Sequence, residues 1–289
     1  MNVKIITDSA ADLTKEIYKK YDIDVIPIRV FDEIGNEYYD GVTMEPEKLL
    51  NDMKLGHIFK TSLPAYESIR STLEKYAQSN TPVVHLSLTS ELSGTYQSII
   101  LVKNELLEEY PNWDIEIIDT KCGALGQGLI VIEAAKMAQE NASKKAIMQY
   151  AVNASKHMEH VVTVEDLQYF VRGGRVSKFQ GFIGGLLNIK PILHLKDGFL
   201  TPIEKTRGTK KAMERLVSIM DERGNDLKNQ LIGITHANNE DGANELKRMI
   251  NEKYGCEHFV ITTIGATVGA HAGPGTLAVF FLNKEFKLN

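Results

Sequence analysis

The segment ELSGTYQS, residues 91–98, sets the hydroxyls of Ser93 and Thr95 on either side of Gly94, between an apolar β-branched run and a helical pattern. Similar turns recur. TDSAAD brings Asp8 and Ser9 after the first strand, KTSLPA brings Thr61 and Ser62 ahead of a helix, and DTKCGALGQG follows the run IEII. In open α/β sheets, ligands sit where strands end and helices begin, because unpaired N–H groups and a partial positive charge gather there. Serine and threonine are also ordinary helix caps, so each hydroxyl alone reads equally well as a cap. The repetition, together with Gly94, which would let a ligand approach the backbone, points to a binding site. His271, in VGAHAGPGT, lies among small residues and Gly273 ahead of a strand. Arg172 and Arg175 bracket two glycines in YFVRGGRVSK, and guanidinium groups suit a carboxylate or a phosphate. Hydroxyls, helix N-termini and an imidazole make an anion site without naming the anion.

Other chemistries fit less well. Ser93 as nucleophile, His271 as base and Asp8 or Asp119 as orienting carboxylate would make a hydrolase, but SELSGT is not the G-x-S-x-G elbow. A nucleotide or phosphosugar would suit the same helix N-termini, yet GALGQG is not the dinucleotide fingerprint and no P-loop is present. His157 and His160, in HMEH, could share one helix face, but no further ligand lies nearby, so no metal and no cofactor are expected. Cys122 and Cys256 match neither a disulfide framework nor a metal spacing, which suits a reducing compartment.

The elements that must position these residues fall into two groups. In 289 residues, 43% hydrophobic and 25% charged, there is material for two ordinary globular cores. A net charge of −5 argues against broad attraction to nucleic acid or anionic membrane. The N-terminus reads as a strand and turn rather than a signal peptide, and no run approaches a membrane span, so a cytoplasmic protein without a transmembrane anchor is expected. VKIITDS, IDVIPIRVF, TPVVHLSL and WDIEIIDT read as strands alternating with helices, which favours a largely parallel sheet covered on both faces. The helix SKKAIMQYAVNASKHME, with Ser143 as N-cap, closes that α/β unit at residue 158. Residues 159–289 carry five strand signals and two substantial helices, an α+β pattern with a mixed or antiparallel sheet. Within it Asp197-Gly198 predicts a hairpin, because both residues accept positive φ.

Taken in order, TDSAADL, KTSLPA, LSLTSELSGTYQSI, CGALGQG, LQYFVRGGRVS, KPIL and GAHAGPGTLAVFF resemble the DegV family of bacterial fatty-acid-binding proteins. The resemblance implies a two-domain fold, 1–158 and 159–289, enclosing one long-chain fatty acid with its carboxylate near the seam. It places the head group at the positions of Thr61, Ser93 and His271, with Ser62, Gly94, Thr95 and Gly273 beside them. It further implies a carrier rather than an enzyme, presenting the carboxylate to a fatty acid kinase for conversion to an acyl phosphate that feeds phospholipid synthesis. Arg172, Arg175 and Arg207 are then expected to face that partner. Transient membrane contact is compatible with such a role. Phe182, Ile183, Leu186 and Leu187 are candidates for the tail pocket. Two segments depart from the family pattern: TSLPA stands where TSQPS is common, and the 119–128 loop carries Cys122 and Ala124 where hydroxyls are frequent. Burying roughly fifteen methylenes at about 0.8 kcal/mol each contributes on the order of 12 kcal/mol before association costs. The polar groups chiefly offset the cost of burying the carboxylate.

Overall fold

The computed structural model describes residues 3–175, 188–284 and 286. The proposed tail residues Phe182, Ile183, Leu186 and Leu187 lie outside the described residues. In chain order the first half runs β1 (Lys4–Asp8), α1 (Lys15–Lys20), β2 (Asp24–Ile26), β3 (Arg29–Phe31), β4 (Glu37–Tyr39), α2 (Pro46–Lys54), β5 (Lys60–Ser62) and α3 (Tyr66–Gln78). It continues with β6 (Val83–Ser87), α4 (Thr95–Glu109), β7 (Ile115–Asp119), α5 (Ala124–Gln139) and α6 (Lys144–His157). The second half is β8 (Met158–Thr163), α7 (Gln168–Arg172), β9 (Ile189–Lys196), β10 (Phe199–Arg207), α8 (Thr209–Arg223), β11 (Ile232–His236), α9 (Glu240–Tyr254), β12 (Phe259–Thr263), α10 (Ala266–Ala272) and β13 (Leu277–Leu282).

A parallel sheet in the order β2-β1-β6-β7 forms the first layer, as the alternation of strands and helices predicts. β1 is buried along its whole length, the signature of a strand covered on both faces. Ile5 packs with α5 and α6, whereas Ile6 packs with α3 and α4 on the opposite face, following the two-residue alternation of a strand. The second sheet, β10-β9-β8-β13-β11-β12, is mixed: only β11 and β12 run parallel. Its β9–β10 hairpin turns at Asp197 (φ 51°) and Gly198 (φ 82°), the two positive angles expected of the Asp-Gly turn.

Two features depart from the sequence reading. IDVIPIRVF is not one strand, because Pro27, which lacks an N–H, separates β2 from β3. The chain leaves the parallel sheet there, and β3 becomes the centre of a small antiparallel sheet, β4-β3-β5. KTS is therefore strand β5, with Thr61 registered opposite Val30, rather than a turn.

Helix α5 joins the two large sheets. Eleven of its 16 residues are buried, and a helix apolar on every side must be covered on every side. Its neighbours Ala278 and Phe280 of β13 share one core with Leu125, Leu129 and Ile130. Here the GALGQG glycines serve packing rather than phosphate binding: a Cβ on Gly126 would come within 2.2 Å of His160 Nε2, and one on Gly128 within 2.4 Å of the Ala11 carbonyl. Ser143 caps α6 as predicted, accepting the Ala146 N–H at 3.2 Å. Ser143→Ala is expected to cost about 1 kcal/mol of stability, measured by urea unfolding with an unchanged slope.

Candidate functional site

A cavity of about 330 Å³ lies between the hydroxyl-bearing loops of the first half and the second sheet, within the size range of small-molecule sites. Its walls are largely apolar: Leu88, Leu92, Val162, Phe170, Leu195, Leu200, Ile264, Val268 and Phe280. Thr61, Ser62, Ser93, Arg175 and His271 bring polar groups to its wall, and His160, Thr235, Thr267 and Thr276 add others.

The sequence supplies the means of bringing these groups together. β5 carries Thr61, while the short helix α10 carries His271 near its C-terminal end. The buried Asp40 carboxylate fixes the other end of α10, accepting the N–H groups of Ala266 at 2.8 Å and Thr267 at 3.1 Å. Thr61 Oγ1 and His271 Nε2 then lie 2.7 Å apart, across 210 positions of sequence. Burial, and then the Arg175 charge, push the His271 pKa down to about 4, so the ring is neutral at pH 7. With the proton on Nε2 the imidazole donates to Thr61, which leaves the threonine hydroxyl hydrogen directed elsewhere, suited to a bound anion. His271 Nδ1 has no protein partner among the described residues.

The RGGR segment is shaped by this histidine. A Cβ on Gly173 would fall 2.1 Å from His271 Nδ1, and Gly174 adopts φ 68°. Both glycines are thus required, one for space and one for backbone conformation. Arg175 donates to the Leu92 carbonyl at 3.1 Å and the Gly173 carbonyl at 2.6 Å, holding its charge beside His271. It lines the cavity rather than facing outward alone, contrary to its expected grouping with Arg172. Arg172 is exposed and lies over the Tyr169 ring at 5.7 Å. A second, outer cleft includes Lys60, Arg172, Thr61, Arg175 and His271. The last three therefore stand in the wall common to the inner cavity and the outer cleft. Arg207 is exposed at the end of the edge strand β10 and lines neither.

The remaining predicted residues are placed differently. Ser93 Oγ lies 2.8 Å from Thr95 Oγ1 and accepts the Thr95 N–H at 3.2 Å, so it orders the start of α4 while lining the cavity. Thr95 is fully buried and, like Gly94 and Gly273, is absent from the cavity wall. A Cβ on Gly94 would meet Leu63 at 3.2 Å, and one on Gly273 (φ 79°) would meet the Tyr169 ring at 2.2 Å. Packing against Tyr169 and a positive φ account for Gly273, whereas at Gly94 the Leu63 side chain has only to shift a few tenths of an ångström. Ser93, His271, Asp8 and Asp119 do not form a relay: Ser93 pairs with Thr95, His271 with Thr61, Asp8 with Leu88 N–H, Ser87 and Gln127, and Asp119 with Ser90 and Lys121.

His157 ends α6 and His160 belongs to β8, so HMEH does not present two imidazoles on one helix. No group of three metal-ligating side chains converges among the described residues. His160 instead lines the cavity, neutral, its pKa pushed down to about 4 by burial, with Nδ1 3.2 Å from the Met158 carbonyl and Nε2 3.1 Å from the Gly123 carbonyl. The 119–128 segment is a loop only to Gly123, since α5 begins at Ala124; Gly123 and Ala124 contribute wall, whereas Cys122 is buried with Sγ 3.7 Å from the Ser155 carbonyl. Sequence reading missed His160, Val162, Ala278 and Phe280. Their signal was the alternation along β8 and β13: Val162 pairs with Ala278 and His160 with Phe280, which puts all four on one face.

The profile of the DegV family, whose members are described as uncharacterised proteins, matches residues 2–284. The chain belongs to the DegV family. A DegV domain-containing protein of Clostridium perfringens is 37% identical over 281 residues, covering 96% of each chain. A protein of Thermotoga maritima named a fatty acid-binding protein is 36% identical over 289 residues, again covering 96% of each. Among solved structures, a stearic acid-binding protein of Eubacterium ventriosum superposes with a TM-score of 0.88 at 26% identity, covering 98% of both chains. The parallel sheet, the mixed sheet and their order are thus a DegV fold, as the sequence motifs implied. No helix among the described residues is long and apolar enough to cross a membrane.

Proposed function

We propose that this DegV protein is a fatty acid carrier. It buries one long-chain acyl tail in the 330 Å³ cavity and holds the carboxylate at Thr61, Ser62, Ser93 and His271. The observation that carries this reading is the Thr61–His271 pair, which stands at one end of a largely apolar cavity. Relatives of this chain named for binding fatty acids support it. The neutral state of His271 suits it too, since its one N–H, given to Thr61, frees the threonine hydroxyl hydrogen for the carboxylate. On this reading the chain divides at residue 158, with the ligand between the two parts, and the protein is not itself an enzyme.

The finer role follows the resemblance. A fatty acid kinase approaches the outer cleft at Arg172, reaches the carboxylate through the wall formed by Thr61, Arg175 and His271, and transfers phosphate to give an acyl phosphate for phospholipid synthesis. Arg207, exposed at the end of β10, belongs to the partner-facing set.

Native mass spectrometry of the protein purified from a bacterial host, followed by denaturation, tests the carrier reading. One fatty acid per chain, released intact, is expected. An empty protein that binds a nucleotide, or an acyl adduct on Ser93, would overturn it. Ser93→Ala removes a hydroxyl from the polar end, and lipid affinity is expected to fall by about 1 to 3 kcal/mol, roughly five- to 150-fold, in a displacement titration. Arg172→Ala is expected to leave lipid affinity within about twofold of wild type, since its side chain contacts Gln168 and Tyr169 outside the cavity.

A further inference from the structure

The wall of the 330 Å³ cavity carries a single formal charge among its described residues. It holds no aspartate, glutamate or lysine, and its two imidazoles, His160 and His271, are neutral at pH 7 because burial pushes each pKa down to about 4. The charge is the guanidinium of Arg175. Its Nε donates to the Leu92 carbonyl at 3.1 Å and its Nη1 to the Gly173 carbonyl at 2.6 Å, and both acceptors are uncharged. A guanidinium has five N–H donors, so those of Nη2 have no partner among the described residues. Arg29, Arg70, Arg215 and Arg223 are half-buried like Arg175, and each of them pairs with a glutamate. Arg175 is the half-buried arginine without an acid among the described residues.

A cation partly withdrawn from water and given only neutral acceptors is destabilising until an anion joins it. The apolar wall around it lowers the local dielectric, which strengthens its attraction for a charged head group and offers a neutral one nothing comparable. Arg175 stands in the same wall as Thr61, Ser93 and His271, near enough to the imidazole for its charge to depress that pKa further. The two carbonyls already hold the guanidinium in one orientation, so little side-chain freedom remains to be lost when an anion binds. Hydroxyls and a neutral imidazole make hydrogen bonds that an alcohol satisfies as well as a carboxylate does, so they orient a head group without reading its charge.

We propose that Arg175 is the counter-ion of the bound head group, the specificity-determining residue that makes this cavity select an ionised carboxylate over a neutral lipid of equal length. The inference rests on the fatty acid reading. Palmitate enriched in the NMR-active carbon isotope at its carboxyl, bound to the delipidated full chain, reports its own ionisation through the chemical shift as pH falls. Hexadecanol is the neutral comparison in a displacement titration, and the melting temperature reads folding. In Arg175→Gln the bound carboxyl is expected to take up its proton about one pH unit higher than in wild type, and the preference for palmitate over hexadecanol to shrink about tenfold. Arg175→Lys keeps the charge but cannot span both carbonyls, and is expected to restore most of both quantities. An equal loss of affinity for palmitate and hexadecanol in Arg175→Gln, with an unchanged carboxyl titration, would overturn the proposal and leave Arg175 as a clamp between Leu92 and Gly173. A lysine variant no better than the glutamine variant would overturn it too. The wild-type titration is decisive by itself: a bound carboxyl that protonates at a higher pH than the monomeric acid in water refutes the counter-ion, whether or not the variants fold. Palmitate bound with that outcome leaves the carrier reading standing, whereas no palmitate binding by the wild type would remove both.

Discussion

Val162→Trp is expected to lower fatty acid affinity about a hundredfold while leaving the protein folded. Val162 lines the cavity from β8, directly opposite Ala278, a small residue that leaves open space beside it. An indole there would occupy room used by about four methylenes of the tail, and losing about 0.8 kcal/mol for each removes about 3 kcal/mol of binding. At 1.4 kcal/mol per tenfold, that is roughly two orders of magnitude. Because the ring fills existing space, the urea midpoint is expected to change far less than it would after overpacking a closed core. Displacement of a fluorescent fatty acid, read beside the urea curve, separates the two quantities. Undiminished affinity in a folded variant would mean that the tail runs elsewhere.

The second large effect concerns stability. His85 sits in β6 between Ile6 and Ile117 on the neighbouring strands, fully buried, with neither ring nitrogen hydrogen-bonded to another side chain or to a neighbouring strand among the described residues. Burial pushes its pKa down to about 3. The unfolded chain takes up a proton near pH 6.5, whereas the folded one refuses it until about pH 3, so stability from the neutral ring is complete above 6.5 and is lost progressively below it. Each pH unit in that window costs about 1.4 kcal/mol, and the fall from pH 7 to pH 5 is about 2 kcal/mol. His85→Leu is expected to make the loss of stability over this interval smaller by that amount, measured by urea unfolding at both pH values. Asp8, raised to about 6 by burial, acts in the opposite sense: with its folded pKa above the ordinary carboxylate value, it adds stability as pH falls from 6 toward 3.8. That contribution is common to both proteins and cancels in the difference. An equal pH response in the two proteins would show that His85 is protonated or solvated in the folded state. Leucine also removes two unpaired buried nitrogens, so stability at pH 7 should not fall.

The carrier reading connects these features with the short helix α10. One end of α10 is fixed by Asp40, and the other places His271 beside Thr61. The residues proposed to hold the head group therefore come from separate parts of the chain, and their geometry depends on the packing of α10 against α2 and α7. Gly173 lies against the histidine ring, which gives RGGR a structural role in addition to the exposed charge of Arg172.

Much of this was already present in the order of residues. The parallel sheet was legible because local signals agree with the global fold: apolar strands such as KIITD alternate with helical patterns, and the Asp-Gly pair favours the two positive φ angles of its hairpin turn. The family, too, was legible, because ordered motifs such as SGTYQS, RGGR and HAGPG survive as strings. What tertiary structure alone decided was the partner of each group. Pro27 divided a continuous apolar run between two sheets, since the missing N–H ends one ladder and the chain must pair elsewhere. Gly273 read as a ligand-loop glycine, yet its φ of 79° and the Tyr169 ring pressed against it give its meaning, and Gly126 of GALGQG is set by His160, far along the chain. His160 and Val162 became cavity wall because pairing with β13 chose the face they share, and a two-residue alternation cannot say which of its faces will meet solvent, core or ligand. Residue types and local spacing determined the elements and the chemistry available; long-range packing determined which of those chemistries face one another.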